Sequence, residues 1–280
     1  ADDELAVGTW VIASPVATSA DDDAVDALLS ALEWLESHRT LEDITTQDHE
    51  RFGLGDPRFV IRFTVLEQVF ELRVGGPAPT GEGIYAAVEG EANAYVIGDD
   101  FVESVDHDLA HFRNKSLFEG FYPVGAERVE VDSIVFERHE GVWRLRAPGR
   151  GWANQGLIDR LLRVTRELHA ARFISEDPTE LARFGLDSPW HELTVTRGED
   201  VEEHRVAHLR VGDPCGEHDG ERYAIDGDDG PIVCVAVSDI DALEVDPSRL
   251  REPRLIAVTD DAIASIVVST GAQRLELSRE

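Results

Sequence analysis

Apolar residues recur at every third or fourth position in two separate stretches of the chain. This spacing places their side chains on one face of an α-helix. Ser19 or Asp21 can cap the first helix and Asn154 can cap the second, because a side-chain oxygen at that position accepts a hydrogen bond from a free backbone N–H. The pattern therefore predicts two amphipathic helices, each with one face in a core. The apolar positions are Val25, Leu28, Leu29, Leu32 and Leu35 in the first helix and Leu157, Ile158, Leu161, Leu162, Val164 and Leu168 in the second.

Four short apolar runs follow each helix, with turn residues between them. The runs cover 59–65, 69–74, 84–88 and 94–97, and then 191–196, 204–211, 222–226 and 232–237. Short runs separated by turns predict an antiparallel meander. Short helices are predicted at 46–52 and 101–112, and again at 178–184 and 238–250. The predicted fold class is α+β, with two tandem repeats that each combine one antiparallel sheet with one long and one or two short helices.

The two sets of elements are copies of one sequence. Trp10 matches Trp143, 133 positions later, and a Phe-Gly-Leu motif closed by proline returns after 132 positions. The strand that ends at Gly75 returns as the strand that ends at Gly212. We therefore predict two domains, 1–132 and 133–280. The motif residues are Phe52, Gly53, Leu54 and Pro57 in the first copy and Phe184, Gly185, Leu186 and Pro189 in the second.

The Phe-Gly-Leu motif follows a short predicted helix in each copy, and its composition indicates a helix stop. Glycine suits the left-handed position after a helix, leucine can fold back onto the last turn, and proline prevents continuation. None of these side chains can act as an acid, a base or a nucleophile. We therefore interpret the motif as structural, together with Trp10 and Trp143.

The repeat is uneven at its two ends. Residues 134–138 read as a strand that opens the second copy, but residues 1–4 are acidic and make a poor strand. Residues 265–267 match 133–135, so the chain stops where a third copy would begin. The chain also lacks methionine and any apolar run of about 18 residues, the length of a membrane span. We expect a truncated opening strand, and an upstream segment outside this sequence that includes any membrane anchor.

The chain is strongly acidic, with 57 Asp and Glu against 26 Lys and Arg and a formal net charge of −31. The acids are dispersed and Lys115 is the only lysine, a composition similar to that of salt-adapted or high-GC bacterial proteins. Nucleic acid is not expected as a partner, because its binding needs a basic surface that releases counterions. An anionic membrane is disfavoured for the same reason, so membrane contact would need a hydrophobic anchor.

Cys215 and Cys234 are the only cysteines, and both lie in the second copy. A disulfide between them would suit an oxidising compartment. A buried thiol in the 232–237 strand and a separate loop thiol would give the same sequence. The spacing leaves both interpretations open.

Two clusters in the second copy carry residue types that bind metals. Asp226 and Asp228 begin a run that resembles a calcium loop, but Val237 stands where the closing glutamate belongs, and a hairpin turn explains the run better. Cys215 and His218 share one loop, without the second Cys/His pair that a zinc site needs. These four residues are weak candidates, and we predict neither a metal site nor a cofactor.

Two histidine pairs and three tryptophans also have side chains found in binding sites. His107/His111 and His204/His208 could each present two nitrogens to a metal, but a solvated face or a cross-strand contact explains both pairs. An exposed tryptophan could bind a partner or a sugar, while ordinary packing is the simpler interpretation. The tryptophans are Trp34, Trp152 and Trp190.

Common catalytic motifs are absent from the sequence. It contains no GxSxG elbow, no GxxxxGK[ST] phosphate loop, no HExxH and no GxGxxG after a strand. A site assembled from distant residues leaves no such signature. The sequence therefore favours a non-enzymatic protein. A hydrolase or carbohydrate-active enzyme with a dispersed carboxylate site between the copies is one alternative, and a small-molecule or metal-binding sensor is another.

The order of these elements resembles the bacterial family catalogued as domain of unknown function 4340. Its members show a "W.L..P" strand, a "YGL..P" turn, a "L.VG" strand, a "VYA" hairpin and an "LRDRRLL"-like stretch. Phe replaces the frequent Tyr of the turn, and residues 251–255 are a degraded version of the last motif. The resemblance covers nearly the whole chain in two copies. Its motifs are Trp143-Arg144-Leu145 with Pro148, Phe184-Gly185-Leu186 with Pro189, Leu209 to Gly212, Ile84-Tyr85-Ala86, and residues 112–117.

The resemblance implies one N-terminal transmembrane helix and an outward-facing soluble region, often encoded beside ABC-transporter components of the gliding-motility type. The family has no assigned catalytic residues that could be transferred to this chain. We therefore expect a non-enzymatic accessory or binding ectodomain in the periplasm or at the cell surface. Its expected partners are envelope proteins, including ABC-transporter subunits.

Overall fold

A computed structural model of the chain describes residues 9–79, 81, 83–197, 207–216, 220–254, 263–271 and 273–279. The chain divides into two compact units, Ala1–Asn114 and Lys115–Glu280. Each unit combines an antiparallel sheet with helices, so the α+β class predicted from the sequence is confirmed. No helix in the described ranges has both the length and the apolar character needed to cross a membrane.

The first unit is built on a five-stranded antiparallel sheet in the order β3-β7-β6-β5-β4, beside a separate pair formed by β1 and β2. Strands β4 to β7 are the predicted meander, and β3 adds to its far edge. The elements are β1 (Val11–Ile12), β2 (Thr18–Ser19), α1 (Asp22–Glu33), β3 (Ser37–Leu41), α2 (Thr46–Arg51), β4 (Phe59–Val65), β5 (Gln68–Pro77), β6 (Ile84–Val88), β7 (Ala94–Ile97), α3 (Asp99–Val105) and α4 (Leu109–Phe112).

The second unit has a nine-stranded antiparallel sheet in the order β11-β10-β9-β8-β13-β14-β15-β16-β12, and a separate hairpin of β17 and β18. Its first elements are β8 (Ala126–Val131), β9 (Ile134–His139), β10 (Val142–Ala147), β11 (Gly151–Trp152), α5 (Gln155–Arg166), β12 (Arg172–Ser175), a 3-10 helix (Pro178–Phe184) and β13 (His191–Arg197). The remaining elements are β14 (Ala207–Pro214), β15 (Glu221–Asp226), β16 (Ile232–Ala236), α6 (Val237–Asp241), a second 3-10 helix (Pro247–Arg249), β17 (Ser265–Thr270) and β18 (Gln273–Ser278).

The boundary between the units differs from the predicted one. The sequence placed it between residues 132 and 133, which assigns β8 to the first domain. In the structure β8 pairs with β9 on one side and with β13 on the other, so it belongs to the second unit. The reason is that backbone hydrogen bonding decides where a strand belongs, whereas the sequence repeat marks only where similar side chains begin again.

Three other features differ from the sequence pattern. Strands β3 and β12 were not predicted, because they are short and lack alternating apolar residues; each is held by antiparallel pairing, β3 with β7 and β12 with β16. The predicted helix at 101–112 is two helices, α3 and α4, with Asp108 capping α4 through the backbone N–H of His111 at 3.1 Å. The predicted helix at 238–250 is reduced to α6 and a 3-10 turn.

The five-stranded and the nine-stranded sheets each have apolar clusters on both faces. In the first unit the main core joins strand residues such as Val74 and Ala86 to Phe101 of α3 and Leu32 of α1. The second unit has a larger core with the same plan, in which α5 contributes four buried aliphatic residues. On the opposite face the Phe-Gly-Leu motif makes a separate small cluster in each unit.

The Phe-Gly-Leu motif ends a helical turn and contacts the sheet in both units. Gly53 and Gly185 have φ of 72° and 69°, the left-handed conformation that glycine adopts most easily. Leu54 and Leu186 donate backbone hydrogen bonds back into the preceding turn, both at 2.9 Å. The glycine that ends the shared strand motif lies directly against this turn, since a Cβ at Gly75 would overlap the carbonyl oxygen of the motif phenylalanine. The two sequence motifs therefore form one packing unit.

Candidate functional site

A cleft of about 580 Å³ opens on the sheet of the first unit. Its volume is within the range of small-molecule sites, roughly 300–1,000 Å³. Of the lining side chains that the structure describes, two are arginines, one is a histidine and none is acidic. The lining residues are His38, Arg39, Leu41, Arg51, Phe52, Ala78, Pro79, Tyr85 and Val96.

Three neighbouring strands bring one row of these side chains together. Arg39 of β3 lies opposite Val96 of β7, and Val96 lies opposite Tyr85 of β6. Residues directly opposite each other in an antiparallel pair point to the same face of the sheet. The row Arg39, Val96, Tyr85 therefore follows from strand register, although the three residues are far apart in the sequence.

The Phe-Gly-Leu turn supplies the aromatic wall of the cleft. The rings of Phe52 and Tyr85 are stacked, with centroids 4.1 Å apart and planes at 19°. The backbone of Phe52 is fixed to the sheet, because its carbonyl accepts a hydrogen bond from Gly76 at 2.8 Å. Arg51 lies with its guanidinium carbon 5.2 Å from the Phe52 ring centroid. The wall is thus apolar and rigid with a cation at its rim.

The arginines of the cleft differ in how they are held. Arg51 lies 4.0 Å from Asp48. The hydrogen bond from the Thr45 hydroxyl to Asp48, at 2.7 Å, is the main cause that lowers the pKa of Asp48. Arg39 has no carboxylate within the 4.0 Å of an ion pair among the residues that the structure describes. Among the described residues, Arg51 thus has a carboxylate partner and Arg39 has none.

The second unit has the same strand positions, filled differently. Arg172 lies opposite Cys234, and Cys234 lies opposite Tyr223. Nη2 of Arg172 donates to Oε2 of Glu221 at 2.7 Å and lies 3.6 Å from the Sγ atoms of both Cys215 and Cys234. The two cysteines form a disulfide, with Cα atoms 6.1 Å apart. A carboxylate and a disulfide thus occupy the positions around the second arginine.

Backbone geometry explains why the first unit lacks the carboxylate. Gly83 precedes Tyr85 by two residues, as Glu221 precedes Tyr223. The backbone of Gly83 has φ of +130°, and a Cβ at this position would overlap the carbonyl oxygen of Ile97. No other residue fits there without a shift of the chain, so the arginine of the cleft has no acidic neighbour at this position.

The metal candidates of the second unit do not form a site in the described residues. Asp226 is largely buried, which raises its pKa to about 6, and its carboxylate accepts from the backbone N–H of His208 at 3.3 Å. Asp228 is exposed and pairs with Arg210 at 3.0 Å. Within the described part of the chain, the one group of three close ligand atoms consists of Cys215, Glu221 and Cys234. Its sulfurs are bonded to each other, so they are not the thiolates that a metal needs. His218 lies outside the described residues.

The histidine pairs also have ordinary contacts. The rings of His107 and His111 are stacked, with centroids 3.6 Å apart. His208 makes a cross-strand contact with Glu192, with 2.7 Å between Nε2 and Oε1. Its proposed companion His204 lies outside the described residues.

The three tryptophans are exposed. Trp34 follows the last turn of α1, with 75% of its surface accessible. Trp152 has the guanidinium of Arg144 at 3.7 Å from its ring, and Trp190 has that of Arg222 at 4.3 Å. Arginine thus covers one face of two of these rings, an attractive cation–π contact.

Sequence reasoning missed the cleft. Arg39 and Arg51 were not singled out, and Tyr85 entered only as a marker of the repeat. A signal was nevertheless present in the two copies. Arg39 aligns with Arg172 at the 133-residue spacing, while glycine replaces the glutamate that precedes the shared tyrosine. The cleft is thus marked by an arginine that both copies share and by a glutamate that only the second copy has.

Comparison with known families gives one match. The model of the family described as "Domain of unknown function (DUF4340)" matches residues 10–154 and 143–280. The two matches together span nearly the whole chain, and they overlap at residues 143–154, which carry most of β10 and all of β11. No curated protein and no solved structure matches the chain.

Proposed function

This chain belongs to the family described as Domain of unknown function (DUF4340), in two tandem copies, and from that premise we propose that it is a non-enzymatic binding protein whose first unit holds an anionic group. One observation carries the proposal: among the residues that the structure describes, Arg39 lines an open cleft without a carboxylate partner, while its counterpart Arg172 is paired with Glu221. The same fold thus occurs once with the position closed and once with it open.

The chemistry of the cleft favours a small anion with an apolar or planar part. Arginine donates up to two parallel hydrogen bonds to a carboxylate or phosphate, which gives both charge and geometry. The stacked rings of Phe52 and Tyr85 offer a flat apolar wall beside it. An aryl or alkyl carboxylate meets both requirements.

The large negative charge of the whole chain does not oppose such binding in salt. The Debye length is about 8 Å at physiological ionic strength and about 3 Å at 1 M, so distant carboxylates are screened. Contacts between Arg39 or Arg51 and a bound anion are made at hydrogen-bond distance and are screened much less. We expect the affinity to rise from low to moderate salt, as the repulsion from the rest of the surface is removed.

The setting of this binding function is proposed from the family resemblance. We place the chain outside the cytoplasm, held at a membrane by a segment beyond this sequence, as an accessory part of a transporter system of the gliding-motility ABC type. The disulfide is compatible with an oxidising compartment. The strongly acidic surface supports protein partners rather than nucleic acid.

Calorimetric titration with benzoate and with inorganic phosphate tests the binding proposal. We expect saturable binding of one equivalent, stronger for benzoate, and at least about a tenfold weakening in the Arg39→Ala variant. Arg172→Ala is the matched control, because Arg172 holds in the second unit the strand position that Arg39 holds in the first. The proposal would be contradicted if neither benzoate nor phosphate bound, or if the control variant lost as much affinity as Arg39→Ala.

Co-purification tests the setting. The membrane-anchored protein is isolated from native membranes and the proteins that accompany it are identified by mass spectrometry. Stoichiometric recovery of ABC-transporter subunits is the expected result. Recovery of the protein alone from membranes that contain those subunits would refute the accessory role. The binding proposal would then be tested by the titration alone.

A further inference from the structure

A second cleft, here called the arginine cleft, lies in the second unit and is lined by α5 and by strands β9 and β10. Its volume of about 510 Å³ is within the range of small-molecule sites, roughly 300–1,000 Å³. Three arginines line it, Arg138 of β9 and Arg163 and Arg166 of α5, together with the carboxylates of Asp159 and Glu167. In a chain with a formal net charge of −31, a cleft whose described lining has more arginines than carboxylates is a local reversal of charge.

Strand register places Arg138 on the helix-facing side of the sheet. Arg138 lies opposite Trp143 in the pair of β9 and β10, and residues opposite each other share a face. Trp143 and Phe136 are buried in the core cluster that also contains the apolar residues of α5. Alternation along β9 puts Arg138 on the same face as Phe136, two residues earlier. Arg138 therefore ends a row of core residues with a cation, and its Nε donates to the carbonyl oxygen of Gly141 at 3.3 Å.

The helix side of the cleft differs in charge from α1, its counterpart in the first unit. At the 133-residue spacing Arg163 aligns with Ser30 and Arg166 aligns with Glu33, so one position changes from an acid to a base. The helix dipole favours basic residues in the last turn, where both arginines lie. The dipole does not account for Arg138, which comes from the sheet. A ligand held between the sheet and the helix accounts for all three arginines.

The three arginines differ in how they are held. Arg163 lies 3.8 Å from Glu167, and this ion pair is exposed. The guanidinium carbon of Arg166 lies 5.5 Å from the centroid of the Tyr122 ring. Among the residues that the structure describes, neither Arg138 nor Arg166 has a carboxylate within the 4.0 Å of an ion pair. The two arginines that come from different elements are therefore the ones that lack an acidic partner in the described part of the chain.

We propose that the arginine cleft binds a phosphate monoester that carries hydroxyl groups, such as a sugar phosphate. The planar fork of arginine matches phosphate oxygens in charge and in geometry, so Arg138 and Arg166 hold the phosphoryl group from the sheet and from the helix. The ionised carboxylate of Asp159 only accepts hydrogen bonds. A hydroxyl group satisfies it, whereas a bare phosphate ion is repelled. Hydroxyl groups attached to the phosphate therefore strengthen binding.

The arginine cleft differs in chemistry from the cleft of the first unit. The first cleft has a wall of two stacked aromatic rings, which favours an anion with a planar apolar part. The described lining of the arginine cleft has one aromatic side chain, Trp143, which is only 5% exposed. A sugar phosphate offers hydroxyl groups and no planar apolar face, so it suits the arginine cleft better than the first. The two sites lie in different units, and the result for one does not decide the other.

Calorimetric titration with glucose 6-phosphate tests the proposal, and glucose is the comparison ligand. We expect one equivalent of glucose 6-phosphate to bind and glucose not to bind. Arg138→Ala should weaken binding by about tenfold or more, because one charged donor to the phosphate is lost. Arg166→Glu, which gives the helix the charge that α1 has at this position, should weaken binding by about a hundredfold or more. Absence of saturable binding by the unchanged chain would overturn the proposal.

Two control variants separate this site from a general effect of charge and from the first cleft. Arg160→Ala removes an arginine of the same helix whose guanidinium donates to the backbone carbonyl of Glu244 at 3.0 Å. Arg39→Ala alters the first cleft. Both variants should bind glucose 6-phosphate like the unchanged chain, and a loss in Arg160→Ala equal to that in Arg138→Ala would overturn the assignment. Arg138 and Arg166 are exposed, so thermal unfolding of their variants should match that of the unchanged chain.

Asp159→Asn tests the part of the proposal that concerns hydroxyl groups. The variant no longer repels a bare anion, so its preference for glucose 6-phosphate over inorganic phosphate should fall by about fivefold or more. An unchanged preference would contradict the role of Asp159 in selecting the hydroxyl groups.

A phospholipid headgroup offers similar phosphoryl and hydroxyl chemistry, and flotation with phosphatidylglycerol vesicles distinguishes this source. The net charge of −31 opposes contact with an anionic membrane surface. We therefore expect the chain to stay with the soluble fraction. Vesicle binding by the unchanged chain that Arg138→Ala abolishes would overturn the assignment to a soluble sugar phosphate.

Discussion

The two units place an arginine at the equivalent point of their sheets, on the edge strand two positions from the strand that bears the shared tyrosine, and surround it in different ways. In the second unit Glu221 and the disulfide close the position. In the first unit a glycine and a valine stand there, and a cleft opens beside Arg39. Because both units keep the Phe-Gly-Leu packing, the fold does not depend on what fills this position. Duplication can therefore close this position in one copy and leave it open in the other.

The two units also differ in how far their long helices are buried. The long helix of the second unit shares one core cluster with residues of β9 and β10, whereas no residue of α1 is fully buried among the described residues. The repeat unit defined by sequence is thus not the same as the unit that packs. A strand at the end of one sequence repeat completes the sheet of the next unit, as β8 does by pairing with β13.

Loss of the disulfide should give the largest difference between the units. Replacing Cys215 and Cys234 by alanine should lower the free energy of unfolding of the second unit by about 3 kcal/mol, mainly by loosening the unfolded chain. Hydrogen exchange followed by mass spectrometry would report the two units separately. The first unit has no cysteine, so its exchange should not change. An equal loss of protection in both units would mean that they unfold together.

The glycine of the shared strand motif tests what the units have in common. Gly75→Ala and Gly212→Ala should each destabilise their own unit by about 2 kcal/mol or more, because the added methyl group overlaps the motif carbonyl. Gly76→Ala is the matched control, since a Cβ there meets the same Phe52 oxygen at an ordinary 3.7 Å. Thermal unfolding checks the result. A control as damaging as Gly75→Ala would show that strand flexibility, and not this close approach, is the cause.

Asp226 should make the second unit sensitive to pH. Its folded-state pKa of about 6 lies above the ordinary value of 3.8, because burial disfavours the charged form. The folded state thus binds the proton more tightly than the unfolded state, so this residue reduces stability as pH rises from about 4 through 6. Asp226→Asn should raise the free energy of unfolding by about 1–2 kcal/mol at pH 8, allowing for partial exposure of the group.

Measuring the stability of Asp226→Asn at low pH is the control for this prediction. The advantage of Asp226→Asn should disappear below about pH 4, where both states carry a neutral side chain. The first unit has Val88 at this position, and its protection from hydrogen exchange should be unaffected. A stabilisation that is equal at pH 4 and pH 8 would assign the effect to packing and not to the charge.

The two arginines themselves should give the smallest effect. Arg172→Ala leaves Glu221 without its donor and should cost about 0.5–1 kcal/mol. Arg39→Ala removes no ion pair in the described part of the chain and should change stability by less than about 0.5 kcal/mol. Denaturant unfolding of the two variants makes the comparison. A larger loss of stability in Arg39→Ala would mean that this arginine supports the fold. That result would contradict the proposal that Arg39 serves to bind an anion.

Most elements could be predicted because their signals are local. The 59–65, 84–88 and 94–97 runs are strands β4, β6 and β7 with the predicted bounds. Short apolar runs between turn residues are typical of β-strands. The apolar stripe of α1 was readable for the same reason. Strands β3 and β12 could not be predicted, because they have no apolar pattern of their own. Hydrogen bonds to the neighbouring strands hold their backbones in place. The cleft was missed because none of its residues forms a motif along the chain.

By itself the sequence determined the duplication, the α+β class, the structural nature of the Phe-Gly-Leu turn and the acidic surface, since each depends on residue type and spacing along the chain. Only the tertiary structure decided that β8 belongs to the second unit, that the two cysteines are joined, and that Arg39 faces an open cleft while Arg172 does not. These depend on strand register, which brings together residues tens of positions apart. Register is a property of backbone pairing between strands, and no single strand contains it.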